Sequence, residues 1–265
     1  VKTAALLFLY KISRKLFYNF LPKRIVFYGH FFSDSSNTFE QYRCPSIREL
    51  HESMAELERA GFSFVGIDEF LLPDKRKKVL ISIDDGFAQI KPVVSWLCSR
   101  GAPPVVSILG VTLSEQDYLF PFSGGQNKVQ MQFLTKEDLS ELKGMGAHIA
   151  YHSFFHDKIG VEDLTNSNFT VLRDISAKEL FSLLSKPYVF TFPYSGPDTS
   201  DMVVGKAVAS WGFDLAFVTG GDFSISDKVV HRVPMDIQFE MGVNPILYNL
   251  FLSSVRRIKR IVHRQ

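Results

Sequence analysis

Residues 78–86 read Lys-Val-Leu-Ile-Ser-Ile-Asp-Asp-Gly. The run Lys78–Ile83 is short, apolar and rich in β-branched residues, the signature of a buried strand. Asp84 and Asp85 follow it directly, and Gly86 turns the chain. Adjacent carboxylates repel, and a cation or a shared proton is the usual reason a fold accepts that cost. Taken alone, the triplet also fits a plain turn before a helix cap.

Working outward, the same unit recurs. Strands are expected at Arg24–Tyr28, Phe62–Val65, Pro104–Leu109, Ala147–Tyr151, Tyr188–Phe192, Asp214–Val218 and Val229–Val233. Helices are expected at Pro45–Ala60, Ala88–Ser99, Lys136–Lys143, Ala177–Leu184 and Asp201–Ser210, several closed by glycine. Strand and helix in alternation imply a mainly parallel sheet, and about seven or eight such units in one domain imply a barrel. The stretch Thr112–Gln132 shows no convincing element and is long enough to be functional. Scaling for a 30.1 kDa chain buries about 73% of its unfolded surface, so the core needs no staple.

Composition excludes several classes. Hydrophobic residues make up 46% and charged residues 22%, which rules out a disordered or fibrous chain. Cys44 and Cys98 are too few for a disulfide scaffold and fit a reducing compartment. The net charge of +2 hides a segregation. Residues 1–24 carry six basic side chains and residues 256–265 carry five, with no acid in either, so the body between is net acidic. Uniform basicity would suggest nucleic acid; two basic ends on an acidic globule do not. In 1–24, Leu6, Leu9, Ile12, Leu16 and Phe20 recur at helical spacing, and Leu247, Leu250, Phe251, Val255, Ile258 and Val262 do so in 244–265. Both ends therefore read as amphipathic helices that cover the core and, in the sharper reading, rest on an anionic membrane. Basic residues follow the first apolar stretch at once, without a small-residue cleavage site, so a secretory signal is not expected and the cytoplasmic side is.

A second pair of ionisable residues lies just past another strand. Tyr-His-Ser-Phe-Phe-His at 151–156 places His152 and His156 four apart, a spacing that sets both imidazoles on one side of a helical turn. One Asp and two His make three ligands for an ion such as Zn²⁺ and leave a position open, the catalytic arrangement rather than the closed one. The glycine pairs at 124–125 and 220–221 lack a phosphate-loop context, and no Gly-x-Ser-x-Gly is present, which argues against a serine esterase.

Ile-Asp-Asp-Gly, His-Ser-x-x-His and the Phe-Pro-Tyr at 192–194 occur in that order, each at a strand end. In this the chain resembles the NodB-homology polysaccharide deacetylases, carbohydrate esterase family 4, over residues 25–236. The resemblance implies a single-domain α/β fold, a distorted (β/α)₇ barrel over 25–243, with the amphipathic helices 1–24 and 244–265 added at its ends. It implies Asp84 as general base, one divalent ion held by Asp85, His152 and His156, and Pro193 and Tyr194 as a wall whose Tyr194 N–H helps hold the oxyanion. For the general acid, the order common in the family points near the C-terminal end, where His231 stands. The permuted order found in some relatives points to the first strand, and His30, which ends Phe27-Tyr28-Gly29-His30, is the expected acid. The family often carries an arginine two residues before the motif proline to orient the base; here that position is Thr191, so another group must do it. His148 is expected to be structural.

The activity implied is metal-dependent removal of an N-acyl, chiefly N-acetyl, group from an amino sugar of a surface glycan or its lipid- or nucleotide-linked precursor. The alternatives are deformylation of a lipid-linked amino sugar, or a binding barrel without turnover. Phe31, Phe32, Phe120, Phe122, Phe154, Phe155 and Tyr194 are the candidates for sugar-stacking walls.

Overall fold

Parallel strands close into a seven-membered ring in the computed structural model. It describes residues 18, 21–32, 38–39, 42–114, 118–121, 128–166, 171–172, 175–194, 196–219, 223, 225–226, 228–236 and 244–263. The strands are β1 (Arg24–Gly29), β2 (Phe62–Phe64), β3 (Lys77–Ile83), β4 (Val105–Ile108), β5 (His148–Tyr151), β6 (Val189–Thr191), β7 (Leu215–Thr219) and β8 (Val229–Pro234). The helices are α1 (Ile47–Arg59), α2 (Ile67–Leu71), α3 (Lys91–Ser99), α4 (Lys136–Gly144), α5 (Val161–Thr165), α6 (Ala177–Leu183), α7 (Asp201–Ser210) and α8 (Pro245–His263).

Strand β1 closes the ring, pairing with β3 from Arg24↔Lys78 to Gly29↔Ile83 and with β8 from Val26↔Arg232 to Tyr28↔Pro234. The ring is not regular. β3 meets β4 only at Ser82 and Ile83, whereas its first residues, Lys77–Val79, pair with β2. The β3–β4 seam is therefore splayed at the base, and β2 fills it. This is the distorted single-domain α/β barrel expected from the sequence.

Side chains inside the ring form layers, because alternate residues of every strand point inward. The middle layer is aliphatic and aromatic: Val26, Leu80, Val105, Ala150, Val189, Phe217 and Val230. Below it the base is stoppered by Val65, Ile67 and Phe70 around α2 and by the fully buried Lys78, whose Nζ donates to the carbonyls of Glu69 and Leu72. Above it, at the C-terminal ends of the strands, the inward positions turn polar: Ser82, Asp84, Ser107, His152, Thr191 and Arg232, all buried. A dry plug thus holds a polar layer at the mouth.

Helix starts follow their caps. Ser46 and Glu49 form a capping box at α1, and Thr135 and Asp138 form one at α4. One expectation needs correction. The stretch Thr112–Gln132 does contain structure: a 3₁₀ turn at Val111–Leu113 and an antiparallel pair, Leu119–Pro121 with Lys128–Gln130. Strands this short carry too few residues for a periodic signal. The helix expected within 1–24 lies outside the described residues, apart from Tyr18 and residues 21–24. In the C-terminal segment the helix spans Pro245–His263, and its first half is buried through Ile246, Leu247, Leu250 and Phe251.

Candidate active site

Asp84 and Asp85 both face the mouth because the backbone turns at the second of them. Asp85 has φ +71° and Gly86 φ +68°, so the carboxylates do not fan out as strand neighbours would. A side chain at Gly86 would also meet Ile108 at 3.1 Å. Both aspartates are almost fully buried.

Asp84 faces a guanidinium. Arg232 Nη1 donates to Asp84 Oδ1 at 2.7 Å and to Ser82 Oγ at 3.0 Å. The arginine is itself buried, with Cζ 4.5 Å from the centre of the Tyr28 ring and 5.8 Å from that of Phe217. Burial alone would raise the Asp84 pKa; the charge of Arg232, with the hydrogen bond it donates, outweighs it and holds the carboxyl below its ordinary value.

Asp85 Oδ1 lies 3.3 Å from His152 Nε2 and 3.4 Å from His156 Nε2. His152 Nδ1 sits 2.8 Å from the Thr191 carbonyl, which can only accept, so that nitrogen carries the proton and Nε2 turns its lone pair inward. Burial pushes His156 down to about 4, so it is neutral near pH 7. Asp85 Oδ1 and His156 Nδ1 are buried without a hydrogen-bond partner among the described residues. A carboxylate oxygen and imidazole lone pairs converging in a dry pocket is a costly arrangement that a cation resolves. The three donor atoms lie within 4.8 Å of one another and are the metal-competent cluster of the described residues. The chemistry of this donor set, a carboxylate and two imidazoles, fits a divalent ion.

The two histidines do not share a helical turn, as the spacing suggested. Ser153 has φ +65° and His156 φ +61°, and the chain between them is a pair of tight bends. Those bends, rather than a helix, bring the ring centroids to 5.0 Å.

His30 stands at the end of β1, with Nδ1 2.7 Å from Asp236 Oδ2. Asp236 follows β8, the neighbouring strand, so strand pairing sets the two side by side. Burial works against the charge of His30, but the bond to Asp236 and the nearby charges of Asp85 and Asp84 win and raise it to about 9. A third of its side chain is exposed, at the mouth. His231 lies elsewhere. It alternates with the inward Arg232, points out of the barrel, and places Nε2 2.9 Å from Asp201 Oδ1 on α7. His148 Nε2 donates to the Pro187 carbonyl at 2.9 Å, at the first residue of β5 and away from the mouth.

Thr191, at the position where an arginine was sought, exchanges a 2.8 Å hydrogen bond with Ser107 across the polar layer. Sequence reading missed Arg232 and Asp236. The only signal for them was the Arg-x-Pro-x-Asp spelling of 232–236, whose period of two puts all three on one face of an extended segment.

Pro193 is buried, whereas Tyr194 is 46% exposed with φ +58°. Its carbonyl accepts from Thr219 Oγ1 at 2.7 Å, and its ring lies 4.6 Å from that of His156. On the other side of His156 comes Phe120, at 5.1 Å, then Phe87, on which Phe31 stacks at 4.6 Å. Of the aromatic candidates, Phe32, Phe120 and Phe154 are buried, Phe31 and Phe155 half-buried, and Phe122 lies outside the described residues.

No protein-family model matches the chain, and no curated protein matches it by sequence. Solved structures do match in fold. A de-N-acetylase from Aggregatibacter actinomycetemcomitans superposes with TM-score 0.62 at 19% identity, covering 85% of this chain and 99% of its own. IcaB from Ammonifex degensii gives 0.57 at 15% identity, covering 86% and 96%. The Streptococcus pyogenes deacetylase PplD, in complex with acetate, gives 0.57 at 15%, covering 87% and 97%. The chain thus has the barrel of polysaccharide deacetylase structures, together with an Asp-His-His cluster suited to a metal.

Proposed function

We propose that the protein is a metal-dependent hydrolase that removes an N-acetyl group from an amino sugar of a surface glycan or its precursor. One observation carries this reading: a carboxylate held ionised, a histidine held protonated and a three-donor metal cluster converge at one barrel mouth. The deacetylase folds that superpose on this chain support the substrate class.

Asp85, His152 and His156 would hold the ion. When bound, it supplies Lewis acidity toward the amide carbonyl and favours hydroxide over water at neutral pH. Everything else falls to the chain. Asp84, kept unprotonated by Arg232, takes the proton of the attacking water. The Tyr194 N–H is offered to the developing oxyanion. His30, protonated because Asp236 accepts from Nδ1, presents Nε2–H to the leaving amine, which cannot depart as an anion. Tyr194 and the Phe120–Phe87–Phe31 stack flank the mouth and offer faces to a sugar ring.

The test is product release. The protein loaded with Zn²⁺ is incubated with N-acetylated oligosaccharides and with nucleotide- and lipid-linked amino sugars, and acetate and formate are measured. Acetate release abolished by Asp84→Asn is expected. Formate alone would move the reading to a deformylase, and neither acid from a metal-loaded protein would leave a binding barrel.

A further inference from the structure

The wall that carries Tyr194 is fastened to the neighbouring strand. Strand β6 ends at Thr191, the Phe192 N–H adds one more bond to the Phe217 carbonyl of β7 at 2.9 Å, and Pro193 has no N–H with which to continue. Beyond it Tyr194 has φ +58°, a conformation uncommon for a tyrosine that persists where its surroundings fix it. The next bond to β7 comes from a side chain: Thr219 Oγ1 donates to the Tyr194 carbonyl at 2.7 Å. Gly196, at φ +68°, then lies so close to β7 that a Cβ there would meet Val218 at 3.3 Å. The bend at Tyr194 is thus held against β7 on either side, and at its centre by a hydroxyl.

That hydroxyl is itself oriented. Thr219 stands two residues after Phe217 of the middle layer, and Tyr28 two residues after Val26, so both side chains face into the mouth. Between them on β8 is Arg232, paired with Thr219 on one side and with Val26 on the other. The Tyr28 ring covers the guanidinium, 4.5 Å from Cζ, and its hydroxyl bonds the Thr219 side chain. Burial pushes the Tyr28 phenol above its ordinary value, so at neutral pH it is protonated and donates. The Thr219 oxygen accepts that bond and directs its own O–H at the Tyr194 carbonyl, which can only accept. A directed relay therefore runs from Tyr28 through Thr219 to Tyr194. One tyrosine touches both the arginine that holds Asp84 and the threonine that holds Tyr194.

We propose that Thr219, oriented by Tyr28, is a positioning residue that aims the Tyr194 N–H at the acyl oxygen. This rests on the deacetylase reading, in which that N–H meets the developing oxyanion. At a fixed φ the N–H and carbonyl of one residue turn together, and near +60° they point to opposite sides of the chain, as in a helical turn. Strand β6 lies between β7 and β5. A carbonyl drawn to β7 therefore sets the N–H toward the β5 side. The loop after β5 carries His152 and His156, and the Tyr194 ring lies 4.6 Å from that of His156. An oxyanion donor acts through a direction set before the charge develops. Tyr194 is half exposed, so packing alone does not set it, and the Thr219 hydroxyl supplies the missing constraint.

The test separates aim from turnover. The full chain, loaded with Zn²⁺ and labelled with ¹⁵N-tyrosine, is titrated with acetate, and the Tyr194 amide is assigned through Tyr194→Phe. Acetate should shift that amide in the parent and in Thr219→Ser. It should not do so in Thr219→Val, which keeps the shape of the side chain and loses the hydroxyl. In acetate release from an N-acetylated oligosaccharide, Thr219→Val should lower kcat about tenfold or more, short of the roughly 10²–10³-fold that follows outright loss of a donor. KM and Zn²⁺ content should stay unchanged, and Thr219→Ser should restore the rate. Tyr28→Phe should lose part of the same rate, and its combination with Thr219→Val should be no worse than Thr219→Val alone. A Tyr194 amide that ignores acetate in the parent, or answers it equally in Thr219→Val, would overturn the proposal. So would a loss in Thr219→Val that falls on KM or Zn²⁺ content, or that serine does not repair. A parent that releases no acetate, yet whose Tyr194 amide answers acetate only while the hydroxyl is present, would reject the deacetylase reading and uphold the role of Thr219.

Discussion

Arg232 reaches Asp84 from β8, two strands from the β6 position where Thr191 stands: Nη1 lies 2.7 Å from Oδ1, and both side chains are sealed from water. The pair holds the Asp84 carboxylate, the proposed base, ionised and fixes its direction at once, since the same nitrogen also bonds Ser82.

Breaking that pair should be costly whichever partner goes. Arg232→Met leaves a buried carboxylate, and Asp84→Asn leaves a buried guanidinium with Nε and Nη2 already without partners among the described residues. Loss of about 3–5 kcal/mol is expected for Arg232→Met in denaturant unfolding. The double variant should lose less than the sum of the singles. Additive losses would mean the two charges do not interact.

Metal content separates the two aspartates. His152→Ala and Asp85→Ala should lose most bound Zn²⁺ and the thermal stabilisation that added Zn²⁺ gives the parent protein. Asp84→Asn should keep the metal while turnover falls on the order of 10²–10⁴-fold. Metal retained in the His152 variant would reject the ligand set.

His30 and His231 are told apart by leaving group. An amide needs its nitrogen protonated; an activated aryl ester does not. His30→Ala should cripple amide hydrolysis, on the order of 10²-fold or more, and spare the ester. His231→Ala, whose ring bonds Asp201 outside the barrel, should leave both nearly normal. The opposite pattern would transfer the acid role to His231.

The alkaline limb of the rate profile should follow His30. Its acid form, held up to about 9 by Asp236, is present at neutral pH and vanishes as pH rises through that value. Activity should therefore fall toward high pH. Asp236→Asn removes the carboxylate that raises the pKa, so the limb should move to lower pH. A limb unmoved in that variant would show that another group sets it.

Much of this was legible in the chain because each ring strand is a short apolar run with a turn after it. Val79–Ile83 and Val105–Ile108 need no context to be seen as strands, and the site residues sit where those runs stop. A barrel was expected from the number of strand–helix units, but the pairing that closes it was not legible. That β1 meets both β3 and β8 depends on register, which no single run encodes. For the same reason Arg232 stayed hidden: its role exists only once β8 lies beside β1 and its side chain points in. His152 and His156 were found by spacing, but the positive φ values at Ser153 and His156 that join them were not, since such a conformation is uncommon for any residue but glycine and leaves no pattern in the chain. The hairpin at 119–130 was lost because three-residue strands have too little pattern to read.

The guanidinium at β8 separates a role from an address. What the buried Asp84 carboxylate requires is a positive charge within one small volume, and strands on either side of the barrel can deliver a side chain to it. Thr191 and Ser107, both small, occupy the place from which an arginine on β6 would enter. A lineage could therefore pass from one layout to the other through an ancestor bearing both arginines, without the base ever standing unsupported. Relatedness at this site is then better traced through which atoms share a space than through which letters share a column.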